Sequence, residues 1–313
     1  MADLILTLTV NPAIDRNFTT DRLVFEDRTY ILESSEAAGG RGINASRVIH
    51  SFGGRTLALA ISGGAAGQRL EGHLRQAGFP FELTPVASEI RTNFTITDRQ
   101  GLAIKLNQFG PRLTLDELGR LEEAVHRHLP RAEWLMLCGS LPPGVPPAFY
   151  SRLIKAARER GVKTLLDTDG EALAEGIGAG PTVVAPNQQE AERLLNAALL
   201  TPGHARAATA RIREMGPDWV VLSLGSRGAV AAFQGELLEA VPPPIEAVCP
   251  IGAGDALAAA FVWALVEGSD PADALRWAVA AGTASARLPG VRFASLAETR
   301  VIYKGVEVRP ASG

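Results

Sequence analysis

A glycine-rich turn that precedes an apolar segment carries the clearest chemical signal in the 313-residue sequence. Residues Gly252-Ala253-Gly254-Asp255 stand before a run of strong helix formers, 256–266, which predicts a buried helix. The first turn of a helix has unpaired backbone N–H groups, and together with the helix dipole they form an anion site. The turn therefore suits phosphoryl transfer: its amides would stabilise the moving phosphoryl group, and Asp255 would take the proton of the attacking hydroxyl.

A purely structural interpretation fits the same turn equally well. The glycines could simply shape a tight turn, with Asp255 as the cap of the helix. The segment is not a Walker A loop, because no Gly-Lys-Ser/Thr follows it. It is not the dinucleotide fingerprint either, because Leu257 stands where the last small residue would be.

Composition restricts the class of protein. The chain is long enough for a large core, and its formal charge of −3 gives no reason to expect nucleic acid or an anionic membrane as partner. Its two cysteines, Cys138 and Cys249, form no metal-ligand pattern and fit a reducing compartment. Asp3 stands where a signal peptide needs basic residues, and no apolar run approaches the roughly 20 residues of a membrane span. We therefore expect a cytoplasmic protein.

Apolar runs alternate with helical patterns along most of the chain. The predicted buried strands are 4–10, 134–138, 162–167, 182–185 and 219–224, and the predicted helices are 114–128, 147–160, 188–198, 203–215 and 271–287. This alternation predicts a mostly parallel sheet with helices on both faces. Ligands of such sheets bind beyond the carboxyl ends of the strands. Polar or glycine-rich residues follow the predicted strands at those ends, namely Asn11, Asp15, Gly139, Ser140, Asp167, Asp169, Asn187, Glu190 and 225–228.

Residues 91–97 and 101–107 break this pattern, because both alternate with period two and predict an amphipathic hairpin. The apolar residues must share one face, so odd-numbered residues should pair with odd ones across a three- or five-residue loop. These apolar residues are Phe94, Ile96, Leu102, Ile104 and Leu106. A two-stranded ribbon cannot bury that face by itself, so the parent domain or a second copy must cover it.

The polar face of the hairpin would gather two cations and two amides. The predicted register places Asn93 opposite Lys105 and Arg91 opposite Asn107. Such a face could merely be solvated. Cations beside a phosphoryl-transfer site instead favour a substrate that already carries a phosphate.

In sequence order, the motifs resemble those of the ribokinase-like (PfkB) sugar kinases. The resemblance is to the branch that acts on phosphorylated ketohexoses, which includes 1-phosphofructokinase, tagatose-6-phosphate kinase and the minor 6-phosphofructokinase. It covers nearly the whole chain, through segments 11–15, 39–44, 91–93, 107–111, 139–144, 187–190, 223–228 and 252–255. Each short match is weak alone, but their common order makes the structural interpretation of each one much less plausible.

The resemblance implies a fold and a set of site residues. The fold would be a three-layer α/β/α domain over residues 1–313, with a mostly parallel sheet and a small β-sheet lid formed by about 11–37 and 91–110. The sugar and its phosphate would contact Asp15, Gly40, Arg41, Asn44, Arg91, Lys105 and Ser140. The nucleotide would contact Asn187, Ser223, Gly225 and Gly228. Asn187 and Glu190 would order Mg²⁺ through water, and a K⁺ requirement is left open.

Several residues depart from the pattern of this branch. Arg41 stands in place of the usual lysine, which keeps the charge but changes the hydrogen-bond geometry. Ala185 replaces the lysine of the usual Lys-Pro-Asn, and Gln108 replaces a common glutamate in the lid motif. None of these changes removes the base or the anion site. They bear on substrate choice and rate.

The predicted activity is transfer of the γ-phosphoryl group of ATP to a hydroxyl of a ketohexose monophosphate, with a bisphosphate as product. Fructose 1-phosphate, fructose 6-phosphate and tagatose 6-phosphate are all compatible with the sequence. A kinase of an unphosphorylated sugar or nucleoside would leave the Arg91 and Lys105 cations without a partner. A weakly active sugar-phosphate sensor is suggested only by Ala185. The resemblance also implies a homodimer that forms through the lid.

Overall fold

The computed structural model describes residues 3–24 and 27–311. Its strands are β1 Leu4–Thr9, β2 Ala13–Thr20, β3 Ile31–Gly39, β4 Arg55–Ser62, β5 Phe81–Pro85, β6 Arg91–Asp98, β7 Ala103–Asn107, β8 Ala132–Cys138, β9 Lys163–Asp167, β10 Val183–Val184, β11 Trp219–Ser223, β12 Ala229–Phe233, β13 Glu236–Val241 and β14 Glu307–Pro310. Its helices are α1 Arg41–Ser51, α2 Gly64–Ala77, α3 Leu115–His128, α4 Phe149–Arg158, α5 Gly170–Ile177, α6 Gln188–Leu195, α7 Pro202–Glu214, α8 Ala253–Val266, α9 Pro271–Ala286 and α10 Leu296–Tyr303.

The large sheet has the strand order β14-β13-β12-β11-β10-β9-β8-β1-β4-β5. Its strands from β11 to β5 run parallel, and β12, β13 and β14 extend it as antiparallel strands. Successive residues of β1 pack into two different cores, because Leu6 lies among residues of α2 to α7 and Ile5 among residues of α1, α8, α9 and α10. The predicted three-layer α/β/α fold with a mostly parallel sheet is confirmed.

Helix α8 is buried almost all round because its sequence offers small and apolar side chains on every face. Residues 256–264 are all buried, and they pack between α1 and α9. A helix that is apolar all round belongs in the interior of a protein. This packing fixes the first turn of α8, and with it Asp255, at the edge of the large sheet.

The small sheet consists of β3, β2, β6 and β7 in that order. Phe94 pairs with Leu106 and Ile96 with Ile104, which confirms the predicted parity of the hairpin. The hydrogen bond from Asp98 N to Leu102 O closes a three-residue loop, 99–101. The predicted register was wrong by two residues: Asn93 lies opposite Asn107, and Lys105 lies opposite Thr95. A slip of two residues keeps every side chain on its face, so the alternation cannot exclude it.

Most predicted elements of the large domain are present, with shifts at their ends. The helix predicted for 188–198 ends at Leu195, because Asn196 adopts the left-handed conformation of a C-cap. The strand predicted for 182–185 is reduced to two residues. Residues 25 and 26 of the predicted lid range 11–37 lie outside the described residues. Within the described residues, none of the helices has the length and apolarity that crossing a membrane requires.

Candidate active site

Many of the predicted site residues lie at the carboxyl-end edge of the large sheet, whereas Asp15, Arg91 and Lys105 lie on the small sheet. Asn11 follows β1, Ser140 follows β8, Asp169 follows β9, Asn187 follows β10 and Gly225 follows β11. Parallel strands bring these ends to one edge, as the alternation predicted. Gly139 ties two of the loops together, since its N–H donates to Asp167 O at 2.7 Å and its carbonyl accepts from Thr168 Oγ1 at 2.9 Å.

Asp255 lies in the first turn of α8. Gly252 is the N-terminal cap in a left-handed conformation, with φ of 81°, and a β-carbon there would lie 2.9 Å from the ring of Phe293. The Asp255 carboxylate does not cap the helix; it accepts a hydrogen bond from Asn44 Nδ2 at 2.7 Å. The capping interpretation of this aspartate is therefore wrong. Its side chain points toward the residues predicted to bind sugar.

Burial and the neighbouring charge of Asp167 raise the pKa of Asp255 to about 7, although the hydrogen bond from Asn44 lowers it. A carboxylate with such a pKa can accept a proton from a hydroxyl near neutral pH far better than an ordinary aspartate. Strong perturbation of a carboxyl group in a cleft is typical of a catalytic position.

The amides at the start of α8 differ in how they are engaged. The N–H of Ala253 donates to Pro250 O at 3.2 Å, which closes the turn. Among the described residues, no backbone acceptor faces the N–H groups of Gly254 and Asp255. These two amides are therefore open to an incoming anion, whereas Ala253 would have to share its hydrogen.

The sugar side of the site, which means here the part where the sugar is predicted to bind, contains Asp15, Asn44 and Asn93. Asn93 Nδ2 donates to Asp15 Oδ1 at 2.8 Å, across the parallel pair β2 and β6. A β-carbon on Gly39 would collide with the Asp15 carboxylate, so only glycine permits this close approach. Burial raises the pKa of Asp15, against the lowering effect of Asn93 and Arg91.

Four buried polar atoms on this side have no hydrogen-bond partner among the described residues. They are Asn11 Oδ1, Asn44 Oδ1, Asn93 Oδ1 and Arg91 Nε. Buried polar groups are normally paired, so unpaired groups near the predicted base call for an explanation such as a ligand. Three unpaired acceptors and one unpaired cationic donor are groups that a ligand with several hydroxyls and a negative charge could satisfy.

Arg91 and Lys105 do not form the predicted cluster. Arg91 is half-buried and donates from Nη2 to Asn11 O at 2.9 Å, whereas Lys105 is exposed. The two-residue error in the hairpin register accounts for this, because Lys105 pairs with Thr95 instead of Asn93. Ser140 lies next to Asn11, which donates from Nδ2 to Ser140 Oγ at 3.4 Å.

Arg41, the first residue of α1, is engaged with carboxylates. Its Nη1 donates to Asp167 Oδ1 at 2.7 Å, and its Nη2 donates to Glu190 Oε1 at 2.9 Å and Asp169 Oδ2 at 3.2 Å. Gly40, which precedes it, adopts a φ of 125°. A contact of Arg41 with a substrate phosphate stays a prediction.

The residues predicted to bind nucleotide line one cavity of about 800 Å³. Asn187, Ser223, Gly225 and Gly228 all lie on its wall, and so does Gly254 of the α8 turn. A smaller cavity of about 200 Å³ shares Asn187, Ser223 and Gly254 with it and reaches Asp255. The larger cavity therefore lies next to the smaller one that contains the predicted base. Its volume is within the size range of ligand pockets.

The Asn-x-x-Glu motif is a capping box that begins α6. Asn187 Oδ1 accepts from Glu190 N at 2.9 Å, and Glu190 Oε2 accepts from Asn187 N at 2.9 Å. Glu190 is buried with only 5% of its surface exposed, so it does not belong to a solvated helix face. Its second oxygen accepts from Arg41 Nη2, and both residues line the small cavity.

The model of the family described as pfkB family carbohydrate kinase matches residues 7–299. The chain belongs to this family. The resemblance inferred from the motifs is thereby confirmed.

Named relatives cover nearly the whole chain. It is 32% identical over 302 residues to ATP-dependent 6-phosphofructokinase isozyme 2 of Escherichia coli, a match that covers 96% of this chain and 97% of the relative. It is 28% identical over 308 residues to a tagatose-6-phosphate kinase of Staphylococcus epidermidis, covering 97% and 99%. The E. coli phosphofructokinase-2 structure with substrates and products superposes at a TM-score of 0.90, with 33% identity and coverage of 96% and 98%. Other structures of that protein, at a TM-score of 0.89, contain potassium or show a tetrameric inhibited form.

The motifs missed part of the 800 Å³ cavity of this PfkB kinase, called the nucleotide cavity below because the predicted nucleotide residues line it. Helix α9 contributes Val279, Gly282, Thr283 and Ala286 to its wall, and 242–245 supplies a run of prolines and an isoleucine. A helix of small residues has no chemical signature in the sequence. The three consecutive prolines were the one available signal, since they predict an extended segment that cannot join a central strand.

The carboxylates near the nucleotide cavity suit Mg²⁺. Within residues 3–24 and 27–311 no three His, Cys, Asp or Glu side chains are arranged as a metal cage. Mg²⁺ typically keeps several waters and is held by one or two carboxylates together with substrate phosphates. Buried Glu190 and Asp167, which face the small cavity, supply the oxygen donors that such a metal prefers.

Proposed function

We propose that this PfkB kinase transfers the γ-phosphoryl group of ATP to a hydroxyl of a ketohexose monophosphate, with a sugar bisphosphate as product. The position of Asp255 carries the proposal. It is bonded to Asn44 on the sugar side, and its small cavity shares Gly254 with the nucleotide cavity. The names of the relatives, two kinds of sugar-phosphate kinase, support the same substrate class.

In this mechanism Asp255 accepts the proton of the attacking hydroxyl as the oxygen bonds to phosphorus. The open amides of Gly254 and Asp255 donate to the phosphoryl oxygens, joined by Gly252 and by Ala253 if its hydrogen is shared. Mg²⁺, when bound with ATP, neutralises charge on the phosphate oxygens. Positioning accounts for most catalysis of phosphoryl transfer, so this arrangement suffices without a covalent step.

The sugar would satisfy the unpaired polar atoms of the site. Hydroxyl groups would donate to Asn44 Oδ1 and Asn93 Oδ1, while Asp15 accepts another. Arg91, with Ser140 near by, would hold the phosphate that the sugar already carries. Lys105 remains a candidate for the same phosphate, at a more exposed place on the small sheet.

The proposal extends to the cofactors and the location. Glu190 would hold Mg²⁺ through water, as would Asn187 at the other side of the capping box. K⁺ is a second candidate, because a structure of the E. coli relative contains potassium. The cytoplasm, where ATP and sugar phosphates occur together, is the location that fits this activity.

A coupled assay of ADP release tests the proposal directly. The panel comprises fructose 1-phosphate, fructose 6-phosphate, tagatose 6-phosphate, fructose and ribose, each with MgATP. Turnover with at least one phosphorylated ketohexose and none with fructose is expected. Turnover confined to an unphosphorylated sugar would replace the substrate class. Sugar-phosphate binding without ADP release would favour a sensor.

The raised pKa of Asp255 predicts a pH-dependent rate. The base must be ionised, so kcat/KM should fall about tenfold per pH unit below about pH 7. The phosphate groups of the substrates also titrate in this range. The variant Asp167→Asn distinguishes titration of Asp255 from titration of the substrates. Loss of the Asp167 charge should lower the Asp255 pKa and move the acid limb to lower pH. An acid limb unmoved in that variant would mean that the substrates, and not Asp255, are titrating.

We also propose that the small sheet forms a homodimer contact. Its outer face carries stacked Phe18 and Phe94 together with exposed Leu102 and Leu106, which are 53% and 55% exposed. Helix α2 covers this face only at the end where Ile14 and Ala38 are buried. The rest of the face combines these apolar side chains with the ion pair of Arg16 and Glu36, and a second copy would cover it. The small sheet would then act as the lid that closes over the sugar.

Replacing both Phe94 and Ile104 with aspartate should convert the dimer to a monomer with much lower turnover. The introduced charges would be buried against each other across the contact. Light scattering at micromolar concentration measures the change. Thr97→Asp, on the opposite face of the same strand, is the matched control and should remain dimeric. A wild type that is fully active as a monomer would contradict the dimer proposal while leaving the kinase proposal intact.

A further inference from the structure

Arg41 lies between the part of the site proposed for the sugar and the part proposed for the nucleotide and its metal. Its neighbour Gly40 and the next turn of α1, with Asn44, belong to the sugar side. Its guanidinium extends the other way, to Asp167 at the end of β9, to Asp169 after this strand and to Glu190 of α6. The side chain is 28% exposed, while Asp167 and Glu190 are 9% and 5% exposed. One cation thus neutralises carboxylates from two separate elements.

The small cavity contains more negative than positive charge. Asp167, Glu190 and Asp255 line it, and among its described lining residues Arg41 alone is positively charged. The negative charges of Asp167 and Glu190 raise the pKa of Arg41, although burial lowers it. The guanidinium therefore stays ionised. Buried carboxylates left without a cation would be strongly destabilising. A cation beside these residues therefore stabilises the ionised carboxylates.

Both carboxylate oxygens of Glu190 are already occupied. Oε2 accepts from the N–H of Asn187, and this bond belongs to the cap of α6. Oε1 accepts from Arg41 Nη2, and both residues line the small cavity. A metal with its waters would need Oε1, yet the guanidinium nitrogen lies 2.9 Å from that atom. A metal that meets Oε1 through a water would bring a second positive charge close to the guanidinium, and the two cations would repel each other.

We propose that Arg41 takes the place of the metal in the nucleotide-free protein and gives up Glu190 when MgATP binds, so that the divalent cation enters only together with the nucleotide. The inference rests on the proposed function, because it takes Glu190 as the residue that orders the metal. Arg41 is a positioning residue in this scheme. It holds Glu190 and Asp167 in place for the metal, and after release its N–H groups are free to donate to phosphate oxygens.

The proposal depends on the shape of arginine. Nη1 reaches Asp167 while Nη2 reaches both Glu190 and Asp169, so the planar fork spans carboxylates that lie apart. A lysine ammonium is a single point charge and cannot place separate nitrogens on these groups. In Arg41→Lys, the carboxylate of Glu190 should therefore have a weaker interaction with the cation than in the wild type.

Binding of Mn²⁺ to the nucleotide-free protein, followed by the EPR signal of free Mn²⁺, tests the proposal without an activity assay. Mn²⁺ suits the same oxygen ligands as Mg²⁺. We expect weak binding by the wild type and at least tenfold tighter binding by Arg41→Gln. The double variant Arg41→Gln/Glu190→Gln should lose that gain. Arg152→Gln, which breaks the surface pair with Glu122, should behave as the wild type.

If Arg41→Gln folds poorly, its thermal unfolding midpoint with and without Mn²⁺ provides a second measurement of metal binding. Its midpoint should rise on addition of Mn²⁺, because the metal replaces the lost cation, whereas the wild-type midpoint should not change. Arg41→Lys, which retains a charge, should bind Mn²⁺ with intermediate affinity. Equal Mn²⁺ affinity in the wild type, Arg41→Gln and Arg41→Lys would overturn the proposal. That result would leave ADP release by the wild type, the test of the proposed function, unaffected.

Discussion

Replacing Asp255 with asparagine is expected to lower kcat by 10²- to 10⁴-fold, the usual contribution of a general base. The amide keeps the shape of the side chain and can still accept the hydrogen bond from Asn44 Nδ2, so both substrates should bind. Steady-state kinetics measures the rate, and calorimetry with each substrate measures the binding. A variant that turns over nearly as fast as the wild type would remove Asp255 from the mechanism.

The same variant should be more stable than the wild type above pH 7. The folded-state pKa of Asp255 is about 7 against an ordinary value of 3.8, so the folded state prefers the protonated carboxyl. That stabilisation is complete below about pH 4 and is lost as the pH rises through about 7, at a cost on the order of 4 kcal/mol. Asp255→Asn avoids this cost. Its advantage in unfolding free energy should therefore appear at pH 8 and vanish at low pH.

Replacing Arg91 with alanine is expected to weaken binding of the phosphorylated sugar by about ten- to a hundredfold. A charge-assisted hydrogen bond contributes roughly 1.5–3 kcal/mol, and Arg91 Nε is a buried donor without a partner among the described residues. Affinity for ATP should change little, because Arg91 lies on the small sheet and not on the nucleotide cavity. Calorimetric titrations with the sugar phosphate and with an ATP analogue measure both quantities.

Two comparisons separate a phosphate contact from a structural role of Arg91. Its Nη2 also donates to the carbonyl of Asn11, so the alanine variant could disturb the loop after β1. Arg91→Lys keeps the charge and should recover part of the affinity. Lys105→Ala, at the exposed position opposite Thr95, should cost less than Arg91→Ala. If Arg91→Ala loses equal affinity for fructose and for the phosphorylated sugar, Arg91 only supports the loop.

The sequence by itself determined the features that depend on neighbouring residues. The turn at Gly252 and the apolar run after it specify a buried helix with a carboxylate in its first turn, and the structure places Asp255 there. The alternation of apolar runs and helical patterns specified a parallel sheet. Because the carboxyl ends of parallel strands share one edge, Asn11, Ser140 and Asn187 could be expected to meet before any contact was known.

The tertiary structure alone decided which distant residues became partners. Period-two alternation determined the faces of the hairpin at Phe94, but it could not fix a register that a two-residue slip leaves on the same face. Arg41 was expected near a phosphate, yet its contacts are with Asp167 and Glu190, which lie 126 and 149 residues further along the chain. The strand order brings these residues together, and no local pattern encodes that order. Buried charges then pair with whichever opposite charge the packing places beside them, since an unpaired one would be too costly.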